Sequence, residues 1–235
     1  MSENFKKLLT NQDFLEIYGR LLGDGWLGIY DFTLLTKKKK NYIIGFCGHL
    51  EKDREFINDT RKKFNDLFGR SGFLILKPKY NAIELRFGYK ELLYFFNNSL
   101  DFPIGKKIDL RIHTRIPKKR IFWIPIIRGI FDTDGSFFLD KNFGKIYPQI
   151  EFHMKAPYLL EQLASFLRSE GYRLTQRPDR IRLKGIKQIQ KWMKEIGSSN
   201  PKHILRYQNW LFKYGPVAQP GLERQILKEV EPPKL

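Results

Sequence analysis

Two nonapeptides decide how this chain is read: Ile17-Tyr18-Gly19-Arg20-Leu21-Leu22-Gly23-Asp24-Gly25 and Ile127-Arg128-Gly129-Ile130-Phe131-Asp132-Thr133-Asp134-Gly135. Both have Gly at the third place and Asp-Gly at the eighth and ninth, which marks an internal duplication. The sequence around them repeats as well. Downstream of each Asp-Gly, residues 42–49 and 146–153 place apolar residues at every second position, the pattern of a half-buried strand. A helical stretch follows: 51–68, with Phe56, Phe64, Leu67 and Phe68 on one side, and 156–170, with Leu159, Leu160, Leu163 and Leu167 likewise. These stretches stop at Gly69 and Gly171. Two short strands come next in each half, 72–79 with 81–88 and 172–177 with 180–184, and then a closing helix, 90–100 or 186–196. The later closing helix carries Ile186, Ile189, Trp192, Met193 and Ile196 as its core stripe.

The pattern helix, two strands, helix, two strands, helix therefore occurs twice, giving an α+β fold of two units, 1–101 and 121–214. Residues 102–120, with Pro103, Gly105, Pro117 and the run Lys118-Lys119-Arg120, join them. An amphipathic helix over 202–214 closes the second unit, and the turn-rich 215–235 reads as a flexible tail. The Lys37-Lys38-Lys39-Lys40 run falls between the first two strands, at a hairpin tip.

Each nonapeptide reads as the end of a helix. The first helix starts at Asn11 or Asp13, and the second near Ile121 with Pro125 in its first turn. Small residues four apart, Gly19 with Gly23 and Gly129 with Thr133, would let the two backbones approach closely and set the helix ends side by side. The helix C-terminus is electronegative, so an aspartate there is disfavoured by roughly 0.3 to 1 kcal/mol unless something compensates. A divalent cation compensates, since carboxylate and carbonyl oxygens are its ligands. The alternative is that Asp-Gly only makes the turn from helix to strand.

Composition restricts the partner. Forty-three Lys and Arg against 25 Asp and Glu leave a charge of +18, which points to a polyanion, nucleic acid first. No run of 18 apolar residues and no basic amphipathic helix points to a membrane. Residues 1–7 lack the apolar core of a secretory signal, and the single Cys47 stands among apolar neighbours. The expectation is an intracellular protein in a reducing compartment, cytoplasm or organelle matrix.

Both nonapeptides resemble the LAGLIDADG motif, and their separation is similar to that of single-chain, two-motif LAGLIDADG homing endonucleases. The resemblance implies an αββαββα unit used twice, motif helices packed on a pseudo-two-fold axis, and saddle-shaped sheets straddling DNA. It implies that the eighth-position acids, Asp24 and Asp134, hold catalytic metal with Gly23 and Thr133 beside them, two or three Mg²⁺ ions shared at the centre. It also implies a basic residue after the last helix of each half; Lys106 and Lys202 match best, with Lys107 close behind, unless these lysines only contact phosphate. Leu22 stands at the sixth position where the second copy has Asp132, a place outside the metal-binding one.

On the strands, Arg173, Thr175 and Arg177 alternate, as do Arg180, Arg182 and Lys184, forming a cationic ribbon for base edges and phosphates. Tyr147, Gln149 and Glu151 add further readers, and the first half offers Arg86 beside Glu84. Lys37, Lys38, Lys39 and Lys40 would contact phosphate. His49 and His153, equivalent strand-end residues, read as hydrogen-bonding or DNA-contacting groups rather than catalysts. The unequal halves suggest a monomer cutting an asymmetric double-stranded target. The alternatives are an intron-encoded maturase binding intron RNA and a catalytically inactive DNA-binding protein.

Overall fold

The computed structural model describes residues 3–34, 37–142 and 145–214; the tail expected at 215–235 lies outside the described residues. Helix α2 (Gln12–Leu22) starts where Asn11 Oδ1 accepts from the Phe14 N–H at 2.9 Å. It is buried on every side from Phe14 to Leu22, as a helix at the centre of a fold must be. Its counterpart α5 (Arg120–Asp134) begins one residue before Ile121. Pro125 consequently sits inside the helix, not in its first turn, and removes the backbone bond to the carbonyl of the exposed Ile121.

The two helices pack through their glycines. A Cβ on Gly19 would collide with the Ile126 backbone, and one on Gly129 with the Glu16 carbonyl and the Arg20 N–H. Around this contact lies a buried polar network. Arg20, fully buried, donates to Thr60 Oγ1 at 2.6 Å, to Asp59 at 2.7 Å and to Glu16 Oε1, while Arg128 reaches Glu16 from the other helix at 3.3 Å. Burial works to raise the Glu16 pKa, but Arg20, Lys63 and Arg128 hold it below its ordinary value.

Each unit has a four-stranded antiparallel sheet. The first runs in the order β1 (Gly25–Leu34), β2 (Lys37–His49), β4 (Ala82–Gly88), β3 (Phe73–Lys77); the second runs β5 (Gly135–Asn142), β6 (Lys145–His153), β8 (Arg180–Lys184), β7 (Leu174–Arg177). The inner faces, Leu27, Ile44, Phe46, Ile83, Leu85 and Phe87 in one and Phe137, Ile150, Phe152, Ile181 and Leu183 in the other, join a continuous core. That core is completed by α3 (Arg54–Phe68) and α4 (Lys90–Leu100), and by α6 (Pro157–Ser169), α7 (Ile186–Glu195) and α8 (Pro201–Tyr214); a short α1 (Glu3–Leu8), not anticipated, precedes the first unit.

Two expectations need correction. Lys37 to Lys40 are part of β2 and pair with Leu34 to Asp31 of β1, so the hairpin arm is longer than the alternating pattern indicated. Arg173 precedes β7. Residues 102–120, which connect the units, are docked: Phe102, Leu110, Ile112 and Ile116 are buried, and Gln162 of α6 bonds both backbone groups of Ile112 at 2.7 and 2.9 Å.

Candidate active site

Where α2 and α5 end together, the chain places two carboxylates. Asp24 follows the Gly23 cap of α2, and Asp134 is the last residue of α5. The helix ends pack closely at Gly23, where a Cβ would overlap the Thr133 side chain and lie 3.6 Å from Asp134 Oδ2. Burial raises the pKa of both acids. Asp134 is pushed up to about 6, with the negative charge of Asp24 adding to the effect, while Lys107 and Lys202 partly offset the rise at Asp24.

Lys107, and not Lys106, is the basic residue that reaches this pair from the first unit's side. Its Nζ donates to Leu22 O at 3.2 Å and to Gly23 O. Gly105 takes a left-handed turn (φ 85°) with its N–H on Leu27 O, which sends residue 107 inward and leaves Lys106 exposed. Burial lowers the Lys107 pKa, against the pull of Asp134 and Asp24. Spacing along the chain does not distinguish the two lysines, because the turn's direction is set by that backbone bond to β1.

Lys202 is close enough to Asp24 to lower its pKa against burial and is held by a partner the sequence did not reveal. Its Nζ lies 2.8 Å from Asp53 Oδ1, at the start of α3 in the other unit. Asp53 also accepts from the His49 N–H at 2.9 Å and from Asn200 Nδ2 at 3.1 Å. Burial acts to raise the Asp53 pKa, yet these donors, Lys202 foremost, keep it below its ordinary value. Asn200 Nδ2 donates in addition to Asp132 O at 3.0 Å, and the Asp132 carboxylate accepts from Ser198 Oγ and, at 2.9 Å, from the Ser199 N–H. The sixth-position acid of the second motif thus anchors residues 198–200 beneath Lys202; burial lifts its pKa to about 7. Asn200 before Pro201 could have been read as a helix cap, but its contact with Asp53 spans 147 positions.

The remaining candidates separate. The Thr133 hydroxyl turns back to the Gly129 and Ile130 carbonyls at 3.0 Å, whereas the Gly23 carbonyl faces the Lys107 ammonium. His49 Nδ1 accepts from the Glu51 and Lys52 N–H groups, and His153 meets Asp179 at 3.1 Å; neither bonds Asp24 or Asp134. Among the described residues no cluster of three or more His, Cys, Asp or Glu forms a closed metal cage.

Each sheet turns its outer face away from the helices. In the second sheet that face carries Tyr147, Gln149, Glu151, Thr175, Arg177, Arg180, Arg182 and Lys184, by the pairing Glu151 with Arg182 with Thr175 and Gln149 with Lys184. Gln149 is buried there and bonds Asp140 at 2.6 Å, so it supports the face and does not project from it. Glu151 holds Arg182, at 2.6 Å to its Nε, and Arg180 at 3.9 Å. Arg177 and Lys184 are exposed. In the first sheet Glu84 binds both Arg86, at 2.6 Å, and Lys77, at 3.0 Å.

Two paired motif helices between two such sheets, with an acid at each helix end, are a known arrangement, and residues 125–204 match the family model of the LAGLIDADG-like domain. This is a LAGLIDADG fold. It is similar to mesophilic variants of the homing endonuclease I-DmoI (19% identity, TM-score 0.54, covering 84% of this chain and 98% of that one). It is similar also to the LAGLIDADG homing endonuclease I-LtrWI bound to target DNA (12%, 0.58, 93% and 96%) and to the meganuclease I-SmaMI bound to uncleaveable DNA (15%, 0.55, 83% and 88%). I-DmoI has also been seen in complex with DNA and Mn. No curated protein matches the chain in sequence. Within the LAGLIDADG fold of this chain, Asp24 and Asp134 occupy the eighth place of each motif, at the paired helix ends.

Proposed function

We propose that this chain is a DNA endonuclease that acts as a monomer on an asymmetric double-stranded target. The observation that carries this reading is the pair of acids, Asp24 and Asp134, at adjoining helix C-termini, with Lys107 acting on both and Lys202 on Asp24. Two mutually repelling carboxylates with raised pKa values, next to an electronegative helix end, suit a divalent cation better than they suit each other. The donor set fits Mg²⁺: two carboxylates and the Gly23 carbonyl are hard oxygen ligands, and Mg²⁺ completes its shell with water and substrate phosphate. Bound there, in two or three ions, it would supply an activated water and neutralise charge on the leaving oxygen.

The chain's own residues do the rest. Lys107, whose ammonium rests on the Leu22 and Gly23 carbonyls at the end of α2, would offer positive charge to a phosphate bound at the acid pair. Lys202, fixed by Asp53, would offer a second positive charge as the attacked phosphorus becomes five-coordinate and its oxygens more negative. The net charge of +18 binds the phosphate backbone, and the single half-buried Cys47 suits a reducing compartment.

The test is to incubate the purified full chain with host genomic DNA and Mg²⁺ and map the breaks. Discrete double-strand cuts at one sequence are expected. Asp24→Asn and Asp134→Asn should each abolish cutting and keep most DNA affinity, because phosphate contacts lie elsewhere. Wild-type cutting by either variant would overturn the assignment.

A further inference from the structure

The two outer sheet faces differ in chemistry more than their duplicated origin requires. On the first sheet, the residues sharing the outer face are Trp26, Tyr30, Phe32 and Leu34 on β1, Ile43 on β2 and Phe73 and Ile75 on β3. Tyr30 is 51% exposed, Phe32 42%, Leu34 52% and Phe73 50%, a concentration of bare apolar surface that calls for a partner. Glycines make it flat: the Trp26 ring lies where a Cβ on Gly45 would stand, and the Tyr30 ring over Gly28. The cations at its inner end are already engaged, since Arg86 is bound to Glu84 and lies over Trp26 at 5.5 Å, and Lys77 is bound to the same Glu84. At its outer end, Lys37 pairs with Leu34 and Lys39 with Phe32, so two ammonium groups flank the apolar strip on the same face. The second sheet has Ser136, Asp140 and Gln149 where the first has Trp26, Tyr30 and Ile43; Phe138 and Tyr147 are its aromatic residues, and the rest of the face is polar or charged.

An apolar strip edged by lysines matches one feature of duplex DNA. In the major groove the one apolar group on a base edge is the thymine 5-methyl, and phosphates flank it on both sides. We propose that the first sheet selects a thymine-rich half-site by packing Tyr30, Phe32, Leu34 and Phe73 against 5-methyl groups while Lys37 and Lys39 bind the adjoining phosphates. The second sheet, whose Arg177 and Lys184 are exposed while Glu151 holds Arg180 and Arg182, selects acceptor-rich, guanine-containing sequence by hydrogen bonding from those two exposed cations. This rests on the nuclease reading above and adds to it the chemistry of each half-site.

The experiment selects bound duplexes from a random-sequence pool with the full chain in Ca²⁺, then replaces thymine by deoxyuridine in one half of the selected duplex at a time. One thymine-rich half is expected, and loss of each contacted methyl there should weaken binding about fourfold. Phe32→Ala should remove the sensitivity at one position and leave the other half unaffected. Selected duplexes that bind equally well with deoxyuridine overturn the methyl proposal alone. Failure to enrich any sequence sinks it together with the nuclease reading. Doubling of the chain's mass without DNA, abolished by Phe32→Lys, would give the apolar face to a second copy and overturn the proposal as well.

Discussion

Lys202 of the second unit is ion-paired with Asp53 of the first, Nζ to Oδ1 at 2.8 Å, and so the position of one cationic side chain at the acid pair depends on both halves of the chain. Asp53 acts through Lys202 and is a positioning residue. Asp53→Asn keeps an acceptor for the His49 N–H but removes the charge that orients the ammonium. The expected outcome is a cleavage rate lower by about tenfold with duplex affinity retained, and recovery of part of the rate in Asp53→Glu. Single-turnover cleavage and a binding titration on the same duplex separate the two; loss of affinity with an unchanged rate would show that Asp53 only stabilises the fold.

Adjacent lysines should behave differently. Lys107 donates to the α2 terminus between the two acids, and Lys106 is exposed. Lys107→Met is expected to slow cutting by about 10²-fold or more, and Lys106→Met to leave the rate nearly unchanged. A reversed order would restore the assignment to Lys106.

The helix contact is tight enough to be sensitive to one carbon. Gly129→Ala pushes a methyl into the Glu16 carbonyl and the Arg20 N–H. Destabilisation by about 1 to 3 kcal/mol is expected in urea unfolding. Gly88→Ala, whose nearest neighbour would be a carbonyl at 4.0 Å, is the control and should stay within about 0.5 kcal/mol.

Two buried groups should give opposing pH dependences. His203 has both ring nitrogens buried without a hydrogen-bond partner against Phe131, and burial, with Lys202 and Arg206 nearby, pushes its pKa down to about 3. The unfolded chain therefore takes this proton first, so the contribution is whole above pH 6.5 and is lost as pH falls toward 3. Asp132, lifted to about 7, is the reverse: the folded chain takes the proton first, and stability is gained as pH falls from 7 toward 4. Each slope is at most about 1.4 kcal/mol per pH unit, and in the metal-free protein Asp134, lifted to about 6, adds a second gain below pH 6. Between about pH 6.5 and 4.5, His203→Leu should gain more stability on acidification than the wild type does, and Asp132→Asn should gain less. Urea midpoints at pH 4.5 and 6.5 that move together in both variants would refute the assignment.

Sequence alone determined the duplication, the element order and the two acids, because these are local or periodic. Gly at the third place and Asp-Gly at the end of each motif are visible without knowing what they touch, and Phe64, Leu163 or Ile181 announce a buried face by spacing. The Asn11 cap was legible for the same reason: its bond runs three residues along the chain. What the tertiary structure decided was which lysine enters, what holds Lys202, and which strand residues project. Lys107 rather than Lys106 follows from a turn fixed by a backbone bond to Leu27, and Asp53 with Asn200 from a contact between units. Gln149 alternates correctly with its neighbours and is nonetheless covered, because pairing across the sheet sets Asp140 close by. Periodicity reports the face a residue takes, whereas exposure and partnership depend on what other segments bring to that face.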